Sequence, residues 1–127
     1  MLMRKLSLPV VAAALATVIF APQVQAGDAA AGQKVFNKCR ACHVADKETN
    51  RVGPHLVGII GRKTASVDGF KYSDGMKAAG EKGLVWTEEN FTKYMKDPKD
   101  FVPGNRMAFV GLKSDKEIED LIAFLKK

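Results

Sequence analysis

Cys39-Arg40-Ala41-Cys42-His43 contains the only two cysteines of the chain and one of its two histidines. Thiols three positions apart lie on one turn, and each can add across one vinyl group of a haem, anchoring an edge of the macrocycle through thioethers. The next side chain, His43, then lies under the metal, where an imidazole nitrogen can be the proximal ligand of iron. The spacing points to one covalent haem c held through Cys39 and Cys42, with iron as its metal.

Other chemistries fit the same residues less well. A zinc site would need His43 and His55 as well as both cysteines. Adjacent Cys42 and His43 make poor partners in one tetrahedron, and no H-x₃₋₅-H pair follows. A thioredoxin-like pair uses C-x-x-C with a lowered thiol pKa. It opens a helix after a strand, and no strong strand pattern flanks Cys39. A disulfide across so short a loop would gain little from closure entropy.

Haem iron has a second axial position. A thioether there is neutral and soft, and Met opposite His raises the potential. Met76 and Met95 fall where methionine usually fills core gaps. Met107 follows Pro103-Gly104 in a loop, whose backbone constraint can hold the side chain over the open haem face. His55 is the rival, but Pro54 restricts its backbone, and twelve positions from His43 leave little chain to pass round the macrocycle. Met107 is therefore the expected sixth ligand. With both axial positions filled, a catalytic haem acting on peroxide or binding small gases is disfavoured, and no enzyme activity is expected.

Four helical segments can position these groups. Asp28 caps a helix that runs through Gly32, Val35 and Phe36 to the attachment site. Gly32 is unexpected there, since glycine costs about 1 kcal/mol relative to alanine inside a helix. Ser73 caps a short helix ending near Gly80. Thr87 caps a third, with Glu88 and Glu89 at its positive end, Trp86 placed to staple onto Phe91, and Pro98 as its stop. Ser114 and Glu117 form a capping box for the last, whose apolar face is Ile118, Leu121, Ile122 and Leu125 beside Phe124. Between them, residues 44–72 and 101–112 read as loops. Loops this long in a small domain make sense when they wrap a prosthetic group.

The first 26 residues read as a secretory leader: Arg4 and Lys5, an apolar run from Leu6 to Ala21, then Val24-Gln25-Ala26. Small residues at 24 and 26 place cleavage before Gly27. The mature domain is then residues 27–127, and the net charge of +6 falls to +4 without Arg4 and Lys5. Export carries the thiols into an oxidising compartment, where thioether formation removes them from disulfide exchange. The expected location is the periplasm, with no membrane insertion after cleavage.

Taken in order, these residues resemble the class I cytochromes c, of the mitochondrial and bacterial cytochrome c2 type. The likeness rests on the helix with Gly32 and Phe36, the Cys39–His43 pentapeptide, Gly53-Pro54, Gly61-Arg62-Lys63-Thr64, Trp86, Tyr94, Pro103-Gly104-Asn105-Arg106-Met107 and the Leu121/Phe124 helix. It implies an all-α fold of about four helices and long loops around one haem, with Met107 distal. It implies further that the Pro54 carbonyl accepts a hydrogen bond from the His43 ring, that Arg62, Tyr72 and Trp86 surround a haem propionate, and that Tyr94 bonds the methionine sulfur. Gly32 would mark the crossing of the first and last helices. Met76 stands where mitochondrial members commonly carry a haem-side asparagine.

The function that follows is a soluble, monomeric one-electron carrier, shuttling between membrane complexes such as a quinol:cytochrome c reductase and an oxidase or photosynthetic reaction centre. Lys34, Lys38, Lys99, Arg106 and Lys113 are expected to ring the haem edge and to face acidic docking surfaces. Nucleic acid is not an expected partner, because the basic residues form no run and no aromatic stacking surface accompanies them.

Overall fold

A computed structural model describes residues 7–21 and 27–127. Among these it contains five helices: α1 (Ala29–Phe36), α2 (Asp74–Glu81), α3 (Glu88–Lys96), α4 (Pro98–Phe101) and α5 (Asp115–Leu125). Each begins where a short polar side chain satisfies free backbone N–H groups. Asp28 accepts from Ala30 and Ala31, Ser73 from Met76, Thr87 from Asn90, and Ser114 from Glu117. Among the described residues there is no strand, only an isolated antiparallel bridge between Lys63 and Val85. The expected all-α class holds.

One element departs from the sequence reading. Pro98 does not merely follow α3; it opens α4, with the Asp97 side chain accepting from Asp100 N–H at 3.2 Å. Proline suits a first helical position, where its missing N–H costs nothing. The second long loop therefore starts at Val102.

The core is built where α1 meets α5. Phe36 and Phe124 pack with ring centroids 5.4 Å apart, and Ile118 and Leu121 are almost wholly buried. Gly32 explains the approach. A Cβ there would overlap the Asp120 carbonyl and lie 2.8 Å from Phe124 Cβ. Asp120 is 6% exposed; its carboxylate accepts from Asp28 N–H at 2.8 Å and is paired with Lys116. Lys116 and the Asp28 N–H together hold it below the usual carboxylate range.

Residues 7–21 form no helix or strand, and their large apolar side chains are 73% to 94% exposed. Among the described residues no helix is long and apolar enough to cross a membrane. Residues 22–26, which carry the expected cleavage signal, lie outside the described residues.

Candidate functional site

Past α1 the chain keeps turning. Cys39 N–H bonds the Phe36 carbonyl at 2.8 Å, and Cys42 and His43 N–H groups both return to the Cys39 carbonyl. The pentapeptide is thus an extension of α1, which turns both cysteines and the imidazole toward one cavity. Gly53 N–H then bonds the Cys42 carbonyl at 2.9 Å and brings Pro54 beside His43. Only glycine fits at 53, because a Cβ would overlap the imidazole ring.

The geometry fixes the state of His43. Its Nδ1 lies 2.7 Å from the Pro54 carbonyl oxygen. A carbonyl can only accept, so Nδ1 carries the proton. Burial pushes the ring below its ordinary pKa, against the raising effect of the Pro54 bond, and Arg62 lowers it further. A neutral ring with Nδ1–H leaves Nε2 with a free lone pair, the arrangement a metal needs.

Met107 is held by a knot around Asn105. The Asn105 amide donates to the carbonyls of Pro98 and Val102, both at 2.8 Å, and its oxygen accepts from Met107 N–H at 3.0 Å. Downstream, Leu112 N–H bonds the Met95 carbonyl at 2.7 Å. The Tyr94 hydroxyl points to the Met107 sulfur at 4.0 Å, and burial pushes the phenol pKa up to about 12, so it stays a donor.

The cavity has a volume of about 640 Å³. Cys39, Cys42, His43, Pro54, Arg62, Tyr72, Trp86, Tyr94 and Met107 all line it. His55 does not: its Nδ1 accepts from Val57 N–H within its own loop. Met76 and Met95 were expected to be gap fillers, yet both reach the cavity wall, as do Phe70 and Phe109, which sequence reasoning missed. Helical spacing marks a side chain as inward-facing but not whether it meets protein or a cofactor.

Arg62 carries a further sign. Its guanidinium donates to the His55 and Val57 carbonyls at 3.0 and 3.1 Å, while its buried Nε has no partner. Burial lowers its pKa, and neighbouring Tyr72 opposes this. An unpaired buried donor is costly unless an acceptor meets it. A haem propionate would supply one. A large apolar hollow, two cysteines on its wall, a neutral imidazole with a free Nε2 and an orphaned cationic donor together fit a haem.

The family model for cytochrome c matches residues 29–127. The chain belongs to the cytochrome c family. It is 45% identical to cytochrome c-554 of Methylosinus trichosporium over 127 residues, covering 98% of this chain and 94% of that protein. With cytochrome c2 of Afifella marina it shares 46% identity over 104 residues, covering 80% and 84%. The solved structure of cytochrome c2 from Rhodospirillum centenum matches with a TM-score of 0.73 and 40% identity, over 79% of this chain and 97% of that one. Membership brings electron transfer through haem c, bound covalently by Cys39 and Cys42.

Burial pushes the Cys39 thiol above its ordinary pKa; Lys38 opposes this and Cys42 adds to it.

Proposed function

We propose that the chain is a periplasmic one-electron carrier, exported behind a cleaved leader and working between membrane complexes rather than as an enzyme. The observation that carries this reading is the cavity shared by a neutral, Pro54-bonded His43 and the tethered Met107. In it His43 Nε2 and the Met107 sulfur would hold the iron of a bound haem. The bound haem supplies a single ferric/ferrous couple. His43 is kept in one tautomer by Pro54, Tyr94 orients the Met107 sulfur, and Arg62, Tyr72 and Trp86 stabilise the propionate side. With two of its own side chains placed to hold the iron, the chain would offer a substrate no position there, which favours a carrier over a catalyst.

Processing before Gly27 is supported by the leader pattern and by the unpacked apolar residues 7–21. Expression in a bacterium that exports and matures c-type proteins should yield a periplasmic product whose intact mass equals residues 27–127 plus one haem. A haem-bearing product that retains residues 1–26 in the membrane fraction would overturn the processing and location.

The partners proposed are acidic docking surfaces on a quinol:cytochrome c reductase and on an oxidase or photosynthetic reaction centre. Of the cations expected to ring the haem edge, Lys38 and Arg106 line the cavity; Lys34, Lys99 and Lys113 do not. Lys71, which sequence reasoning missed, joins them beside exposed Val52. Steering by such charges acts on association rate and is screened over roughly 10 Å at 0.1 M salt. Lys38→Glu should slow bimolecular electron transfer on the order of tenfold at low ionic strength, with the defect shrinking as salt rises. Lys126→Glu makes the same charge change away from the cavity and breaks only an exposed pair with Glu88. Equal slowing by both would leave net charge, not a docking face, as the cause.

A further inference from the structure

Two contacts join the methionine loop to its neighbours in the fold, one at Lys71 just before α2 and one in the first turn of α2. The Arg106 guanidinium donates to the Lys71 carbonyl at 2.9 Å, a bond between residues 35 positions apart. Four residues on, Gly75 lies directly against Pro103 and Gly104: a Cβ at 75 would overlap the Pro103 carbonyl and come within 2.9 Å of Gly104 Cα. Gly104 meets this with a φ of +80°, a conformation natural to glycine. The receiving segment is itself stiffened, since the Tyr72 hydroxyl accepts from Val67 N–H at 3.1 Å and Phe70 packs edge-on against Tyr72.

Arg106 is the residue immediately before Met107, and its side chain also lines the cavity. The Asn105 side chain ties the loop to its own start, and the Leu112 N–H ties its far end to Met95. The guanidinium is the side-chain tie that reaches from the middle of the loop to the facing segment. We propose that Arg106 is a positioning residue for Met107: its bond to the Lys71 carbonyl keeps the loop closed and limits how often the sulfur leaves the iron. The inference rests on Met107 as the sixth ligand.

A charge-assisted bond to a carbonyl is stronger than a neutral one, and a planar guanidinium holds its direction. Because the contact is exposed, its removal should loosen the loop without unfolding the domain. The acceptor is a backbone atom, so the Lys71 side chain takes no part in the contact. Lys71→Ala then removes one positive charge at the same place and keeps the tie, whereas Arg106→Ala removes both.

The test is imidazole binding to the ferric holoprotein, followed in the visible spectrum at saturating imidazole, where departure of Met107 sets the rate. Arg106→Ala should raise this limiting rate about fivefold, with the denaturant midpoint unchanged, and Lys71→Ala should leave it as it is. No acceleration, equal acceleration by both substitutions, or acceleration matched by a fall in global stability would each overturn the role given to Arg106. If the unsubstituted ferric protein shows no methionine-to-iron band, the ligand assignment fails. A band with no effect of Arg106→Ala sinks the tie alone.

Discussion

Met107→Ala should abolish the weak sulfur-to-iron charge-transfer band of the ferric protein while haem stays attached through Cys39 and Cys42. The potential should fall by on the order of 0.1 V or more, within the ~0.8 V that axial ligands span. The sign follows from the ligand. A neutral, polarisable thioether favours ferrous iron, and water or a harder donor in its place favours ferric. The experiment has force because Met76 and Met95 line the same cavity. If the band survives in Met107→Ala, one of them holds the iron. What singles out Met107 is its tether to Asn105 and the Tyr94 hydroxyl 4.0 Å from its sulfur. His55→Ala should leave the low-spin spectrum unchanged, since that ring is engaged with Val57 N–H and lies off the cavity.

The second large effect concerns stability. Gly32→Ala should destabilise the holoprotein by about 2 kcal/mol or more, although alanine in a helix is ordinarily worth about 1 kcal/mol over glycine. The added methyl would overlap the Asp120 carbonyl, so α1 must move off α5 and uncover Ile118 and Leu121. Urea titration of both proteins decides it: the midpoint should fall with little change in slope. A rise in the midpoint would mean that intrinsic helix propensity governs this position and that the helix crossing is loose.

What the sequence disclosed, it disclosed through short-range rules. Asp28, Ser73, Thr87 and Ser114 cap the helices expected of them, because a cap is a bond between residues two or three positions apart. The nine candidate site residues were named from one pentapeptide, one constrained loop and a family likeness, and they converge on one cavity. Helix α4 was missed because Pro98 is read equally well as a stop or as a first residue. The Arg106 bond could not have been found, since its acceptor is the carbonyl of Lys71 and a backbone atom leaves no trace in residue type. Gly32 was an anomaly until α5 lay beside it. Met76 and Met95 show the converse, as inward-facing side chains that pack on the core and also reach the cavity wall.

The 640 Å³ hollow has a consequence for how the protein is made and kept. Its walls include Phe36, Phe91, Leu121 and Leu125, side chains that would otherwise close the core. Left unfilled, the space would leave these apolar walls without packing partners, and a ring joined to Cys39 and Cys42 would supply them. A group that binds the folded chain stabilises it, so a chain to which nothing has been attached should hold this shape less firmly. Limited proteolysis should therefore cut the unloaded chain faster than the loaded one. Digestion would then act as an inspector, consuming chains that missed attachment and sparing those that carry iron.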